Sequence, residues 1–353
     1  MTGGAEAFDD LETLPAACAE LFAAGERHSF QLGRAFFRAV LAAAMPAGAR
    51  GLFLLCRTQE GPGVLFPLQT LSRGARLAAL TTLYSCLWQP LTAAGATPAE
   101  LAAAGEAIGR FCRGWGQVRL DALDGAWWGL PPLLEGIRAA GLIPLCFDHF
   151  GNWHESVAGR SWGDYLAARP GALRETIRRH LGQADRDPAA TLEVIGSAAA
   201  LEAGIAAYED VYRRSWKQPE PYPRFGAALM REAAEAGVLR LGLLRLAGRP
   251  IAAQYWTVAG GTATLLKLAH DEAARARSPG SVLTAAMIRF LLQREPIAEL
   301  DFGRGDDAYK ALWAGQRRQR IGVLLANPRR TGGLAALGRH RLGGLVARMR
   351  GLR

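Results

Sequence analysis

Apolar and polar positions in this chain follow two periods, and the period switches in an ordered way. Leu239–Leu246, Ile251–Val258 and Thr262–Ala269 are short apolar runs of strand length. Turn formers at Ala247–Pro250 and Ala259–Gly261 separate them, which predicts an antiparallel meander. After a polar loop the spacing becomes helical, with Leu283, Met287, Phe290 and Leu291 following Ser278-Pro279-Gly280. Serine can cap a helix with its side chain, and proline fits the first helical position. A last apolar run ends in Leu300-Asp301-Phe302-Gly303 and predicts a strand.

The first half reads in the same order. Pro15–Ala24 and Gly33–Met45 are helical, and Gly51–Cys56 and Val64–Leu71 are strands joined across a Gly-Pro-Gly turn. Leu77–Tyr84 is a third strand. Pro98–Arg113 is a helix, Val118–Leu123 a strand, Pro131–Ala140 a helix and Leu142–Phe147 a strand. Pro98 precedes Asp121 by about the distance at which Pro279 precedes Asp301, near 22 residues. A repeat of this size implies two similar folds packed together. The first copy reads Thr97-Pro-Ala-Glu100 where the second reads Ser278-Pro-Gly-Ser281, so only the second has a glycine in the helix start. The expected divisions are residues 1–150, 151–327 and a basic tail, 328–353.

Between the repeats, Gly159-Arg-Ser161-Trp-Gly163 matches the spacing of a nucleophile elbow, but no strand signal precedes it. Ser161 with Asp164 reads better as a capping box. Leu173–Asp185 is a basic helix carrying Arg174, Arg178, Arg179 and His180, either a solvated face or a positive wall beside a substrate channel. Leu201–Trp216 is a helix, and the loop Gln218–Pro223 after it holds three prolines, a suitable acceptor-site loop. The tail carries many arginines and no acid. Its Leu334, Leu337, Leu342, Leu345 and Val346 suggest an amphipathic helix, lying on an anionic membrane surface or frayed.

The 353 residues suffice for about two domains, and a chain half hydrophobic and 21% charged is globular. No apolar run approaches the roughly 20 residues of a membrane span, and the acidic start is unlike a secretory signal. The expectation is a cytoplasmic protein, or one peripheral to the inner membrane face. Cys18, Cys56, Cys86, Cys112 and Cys146 are never spaced as Cys-x-x-Cys. They are expected to be reduced core residues, with no metal site. The formal charge of +10 favours anionic partners without choosing among them. Lys217, Lys267 and Lys310 are the only lysines among 42 basic residues. A buried ammonium can lose its proton, whereas a guanidinium cannot. At Gly280 the helix start offers bare amides and no side chain, which suits a phosphate, and Arg275 and Arg277 lie just upstream.

Ser278–Leu283 (SPGSVL), Leu300–Lys310 (LDFGRGDDAYK), Arg213–Lys217 (RRSWK) and Arg249–Tyr255 (RPIAAQY), in that spacing, resemble the CelD-like acetyltransferases of the GNAT superfamily, linked to cellulose and exopolysaccharide biosynthesis. The resemblance covers roughly residues 160–315. It implies an α+β or α/β architecture of tandem GNAT-like folds, each a mixed, mostly antiparallel sheet flanked by helices. It also implies acetyl-CoA or another acyl-CoA as co-substrate, with the pyrophosphate in the loop after the fourth strand. Arg275, Arg277, Ser278, Gly280, Ser281 and Val282 would then contact the coenzyme. Val282 departs from the small residue of the (Arg/Gln)-x-x-Gly-x-(Gly/Ala) pattern. Tandem halves with one working site also occur in FemAB-like aminoacyl transferases.

The chain lacks a Ser-His-Asp set or metal cluster in its motifs, so direct attack by an amine or hydroxyl in a ternary complex is the expected mechanism. Asp301 is the first choice for base or acceptor-orienting carboxylate, and His270 the second. Tyr309 is placed to protonate the leaving thiolate and Lys310 to hold acceptor or phosphate. Asp301 capping a turn and Tyr309 packing in the core are the plain alternatives. Trp216, Lys217, Gln254, Lys267 and Arg178 are expected to touch the acceptor, a small molecule, sugar or exopolysaccharide precursor. Two alternatives stay open: transfer from aminoacyl-tRNA, disfavoured by the absence of a long helical arm, and a non-catalytic scaffold in polysaccharide assembly.

Overall fold

The computed structural model describes residues 4–57, 63–72 and 74–351. The expected Gly61-Pro62 turn, and the side chains of Leu345 and Val346, lie outside what it describes. The first half contains β1 (Ala5–Phe8), α1 (Cys18–His28), α2 (Arg34–Ala43), β2 (Arg50–Cys56), β3 (Val64–Leu71), β4 (Arg76–Ala79), β5 (Leu91–Thr92), α3 (Pro98–Cys112), β6 (Gln117–Asp124), α4 (Leu130–Ala139) and β7 (Ile143–Ser156). The second contains α5 (Trp162–Ala167), α6 (Gly171–Ala184), β8 (Ala190–Ile195), α7 (Leu201–Arg213), α8 (Phe225–Glu235), β9 (Leu239–Leu246), β10 (Arg249–Ala259), β11 (Thr262–His270), α9 (Pro279–Arg294), β12 (Glu299–Arg304), α10 (Ala308–Trp313), β13 (Gln316–Ala326) and α11 (Thr331–Gly351).

Among the described residues thirteen strands join in one sheet, ordered β1-β2-β3-β4-β6-β13-β7-β12-β11-β10-β9-β8, with β5 beside β3. The meander β9–β10–β11 is antiparallel. Its turns are tight because Ala247 and Gly248 (φ 50° and 78°) and Gly260 and Gly261 (φ 57° and 73°) take left-handed conformations that match strand twist. Gly260 is also required by packing, since a Cβ there would stand 2.2 Å from the Arg27 carbonyl of α1.

The two halves exchange strands. β7 inserts between β12 and β13, and β13 inserts between β6 and β7. The division expected at residue 150 therefore falls inside β7, whose second part, Asn152–Ser156, pairs with both β12 and β13. The strand expected at Leu142–Phe147 is longer, reaching Ser156, and that expected at Leu77–Tyr84 is shorter, ending at Ala79. β8, α8 and β13 were not anticipated. β13 begins Gln316-Arg-Arg-Gln-Arg320, too polar to read as a strand, yet Arg320 is buried because it pairs with Asp124 at 2.6 Å. Ser161 does cap α5 in a reciprocal box with Asp164. Cys146 is exposed, unlike the other four cysteines, because it lies on β7 where side chains alternate between sheet faces.

Among the described residues each half holds one parallel strand pair, and each pair separates after a few residues. β4 meets β6 only at Leu77–Ala78 opposite Val118–Arg119. β11 meets β12 only at Thr262–Thr264 opposite Glu299–Asp301. In the first half the segment after β4 fills the gap. Trp88 is buried there, its backbone amide donating to the Ala122 carbonyl and its Nε1–H to the Pro67 carbonyl, both at 2.9 Å. In the second half the gap stays open.

Candidate functional site

The open wedge is a cavity of about 910 Å³. One wall is β11 from Leu265 to Leu268 with His270, and the other is Phe302 and Arg304 of β12 with Gly305 just after it. From Leu265 onward the edge of β11 has no strand partner on this side among the described residues, so its amides and carbonyls face the wedge. The start of α9 closes one end through Ser278, Gly280 and Ser281. Ser278 was expected to cap α9 with its side chain; instead it makes no such bond and takes a left-handed conformation (φ 49°, ψ 47°). Among the described residues no acceptor meets the amides of Gly280 and Ser281, so the positive end of a 16-residue helix is bare where it meets the cavity.

The first half provides the contrast. Thr97 accepts from the Glu100 amide, and the Glu100 carboxylate accepts from the Thr97 amide at 2.7 Å. The equivalent helix start is thus satisfied by its own side chains and carries a negative charge, which disfavours an anion there.

His270 lies against Gly280: a Cβ at position 280 would stand 3.1 Å from His270 Nδ1. That nitrogen is buried with no hydrogen-bond partner among the described residues, and the ring packs under Trp216 with centroids 4.4 Å apart. Burial, followed by the Arg275 charge, outweighs Glu272 and Asp271 and holds the imidazole below its usual range, hence neutral. Tyr309 borders the cavity, its hydroxyl 3.0 Å from Thr284 Oγ1 on α9. Burial pushes its phenol up to about 12. Lys310 Nζ donates to the Arg304 carbonyl and lies 3.4 Å from Asp307.

A second cavity of about 850 Å³ adjoins the first between α2 of the first half and α7 and α8 of the second. Tyr84, Tyr208, Tyr212, Tyr222 and Tyr255 line it. Glu220 lines this second cavity and accepts from Tyr84 and Tyr212 hydroxyls at 2.6 Å and from Lys267 Nζ at 2.5 Å. Burial pushes the Glu220 carboxyl up, but these donors outweigh it and leave it below the usual range. Lys267 also stands over the Tyr84 ring, 4.6 Å from its centroid.

Several expected site residues lie elsewhere. Asp301 points to the opposite sheet face from Phe302, away from the wedge, because side chains alternate along β12. It is buried, and its Oδ1 accepts from Asn152 Nδ2 and the Gly303 amide, each at 2.7 Å, while Oδ2 accepts from Arg318. It thus pins the seam between halves and does not face the cavity as a base would. Gln254 is fully buried, donating to the Leu283 carbonyl at 3.0 Å. Arg178 is exposed on α6 and pairs with Glu175. Arg277 turns to Asp187 at 3.8 Å, whereas Arg275 does border the wedge. Val282 is 3% exposed and points into the core beside α9, so its bulk is not in the cavity. Sequence reasoning missed Tyr84, Thr284, Arg304 and Glu220. Of these Glu220 had a local signal as the acid among three prolines, and Arg304 as part of the Leu300–Lys310 motif. Tyr84 arrives from the other half through packing.

Residues 171–311 match the acetyltransferase (GNAT) domain family. No curated protein matches the chain in sequence. The structure is similar to FemX, with a TM-score of 0.63 at 10% identity over 91% of this chain and 98% of that one. It is also similar to a tandem GNAT protein from the clavulanic acid biosynthesis pathway (0.51, 14%, covering 93% and 99%) and to L-PGS from Bacillus licheniformis (0.50, 12%, covering 83% and 89%). At these identities the likeness is one of fold. The chain has a tandem GNAT-like architecture, with an acyltransferase-type domain in its second half.

Proposed function

We propose that this protein transfers an acyl group from acyl-CoA to an amine or hydroxyl acceptor, both substrates being bound at once. One observation carries the reading: the wedge between β11 and β12 ends on the uncapped amides of Gly280 and Ser281. A diphosphate fits those donors, with Arg275 beside them, and the unpaired edge of β11 suits the amides of an extended pantetheine arm. The tyrosine-lined cavity takes the acceptor, for which a sugar or exopolysaccharide precursor follows from the resemblance to CelD-like acetyltransferases.

Tyr309 serves as a hydrogen-bond donor to the departing sulfur. Its phenol, at about 12, stays protonated at any working pH. Full transfer to a thiolate of ordinary pKa near 8.5 would be uphill by about 5 kcal/mol, so the donor bond, and not a completed proton transfer, is its contribution.

Calorimetry with acetyl-CoA tests the reading. We expect micromolar binding, lost in Gly280→Trp while the protein stays folded with a melting temperature lowered by no more than about 1–4 °C, because the indole would fill the helix start and press on His270. No binding at millimolar acetyl-CoA overturns it and favours a non-catalytic scaffold. The charge of +10 favours a second reading, transfer from aminoacyl-tRNA. That reading requires RNA binding that weakens steeply with salt.

A further inference from the structure

The three lysines of the chain, scattered over nearly a hundred residues of sequence, all border the wedge. Among the described residues three line both the wedge and the tyrosine cavity: Tyr84, Lys217 and Lys267. Two of them are held. The Tyr84 hydroxyl and Lys267 Nζ both donate to Glu220, and the Tyr212 hydroxyl takes a further place on that carboxylate. Lys217 has no such partner: among the described residues no carboxylate stands within ion-pair distance of its Nζ. The amine lies instead near two aromatic rings, 5.9 Å from the Tyr212 centroid and 5.7 Å from that of Trp216.

The charged groups around it explain its state. Burial and then the Lys267 ammonium on β11 lower Lys217 to about 8, with Lys310 on α10 adding to the effect. Glu220 in the proline loop and Asp307 before α10 act the other way without offsetting them. His270, at the end of β11, is neutral, and Arg213 lies at the rim of the tyrosine cavity. A guanidinium at 217 would remain charged under the same influences.

Resting on the acyl-CoA reading above, we propose that Lys217 is an acyl acceptor within the protein itself, modified to Nε-acyl-lysine at the throat between the two cavities. The neutral Nζ attacks the thioester carbonyl. A C–N bond forms and the C–S bond breaks; the sulfur departs with the bonding pair and ends as a thiol, carrying the proton shed by the attacking nitrogen. Nothing is oxidised or reduced. The product amide is uncharged and bulkier than the amine, so it narrows the passage between acyl donor and acceptor. Modification would occur when the tyrosine cavity is empty and cease when an acceptor occupies it.

The test incubates the full chain with isotopically labelled acetyl-CoA, without acceptor, from pH 6.5 to 9.5. Peptide mass spectrometry follows label at each lysine, and calorimetry on the same preparation measures coenzyme A binding. We expect label on Lys217, at a rate rising about tenfold per pH unit below pH 8 and levelling above it. Lys267 and Lys310 should label at least about tenfold more slowly, because Lys267 is held by Glu220 and Lys310 by the Arg304 carbonyl. Lys217→Arg should bind coenzyme A and take no label at 217, while Gly280→Trp should reduce labelling of Lys217 to that of a free peptide. The proposal is overturned if coenzyme A binds and Lys217 stays unlabelled, or if all three lysines label at the free-peptide rate. Absence of coenzyme A binding would instead remove the reading on which the proposal stands.

Discussion

Replacing Asp301 by asparagine should destabilise the protein and leave coenzyme binding intact. The carboxylate is 5% exposed and receives hydrogen bonds from Asn152, Gly303 and Arg318. An asparagine oxygen can keep the bonds from Asn152 and Gly303, but its NH2 group then faces the Arg318 guanidinium, donor against donor. The lost attraction is about 4 kcal/mol at 4 Å with an effective dielectric near 20. Arg318 retains Glu299 at 2.9 Å and some water, which returns part of it, so a net loss of about 2–3 kcal/mol is expected. With an unfolding entropy of about 2.1 cal/mol/K per residue over 353 residues, that corresponds to a fall in Tm of about 3–4 °C. Asp301→Leu, which also strands the Gly303 amide, should cost about 4–5 kcal/mol. Differential scanning calorimetry gives the Tm, and acetyl-CoA titration at 10 °C gives the affinity. An unchanged Tm combined with loss of acyl transfer would refute the reasoning and restore Asp301 as a catalytic base.

Two further outcomes follow from the same geometry. Tyr309→Phe removes a single donor at the sulfur and should lower the transfer rate about a hundredfold with acetyl-CoA affinity within twofold; a rate within twofold of the wild type would make Tyr309 a packing residue. Glu155 is buried, where desolvation raises its carboxyl, but the Gly315 amide together with Arg169 and Arg160 outweighs this and holds it below its ordinary value. A carboxyl lowered in the folded state stabilises above its unfolded pKa, and that stability is lost as pH falls through the folded value. Glu155→Gln should therefore lower the urea midpoint at pH 7, and the difference should shrink on going to pH 3. A difference independent of pH would contradict the assignment.

The legible parts of this molecule are those whose cause is local. Alternation and turn residues specified the meander from Leu239 to His270, and the contrast between Thr97-Pro-Ala-Glu100 and Ser278-Pro-Gly-Ser281 already separated a helix start without a glycine from one that has it. Serine identity misled at Ser278, because a left-handed backbone there turns its side chain away from the amides it was expected to cap. Asp301 misled for a related reason: its position at the end of a strand was readable, but which sheet face it occupies depends on pairing with β7, a strand from the other half.

The sequence by itself determined the meander and the helices and strand around it, the two-fold repeat and the clustering of rare lysines near the motifs, because periodicity, turn chemistry and composition act within a few residues. Only the tertiary structure decided that β7 and β13 are exchanged between halves, that Trp88 fills one wedge while the other stays open, and that Tyr84 reaches Glu220. Those outcomes depend on which buried polar groups find partners across about twenty to more than a hundred residues of chain, and no local pattern carries that information.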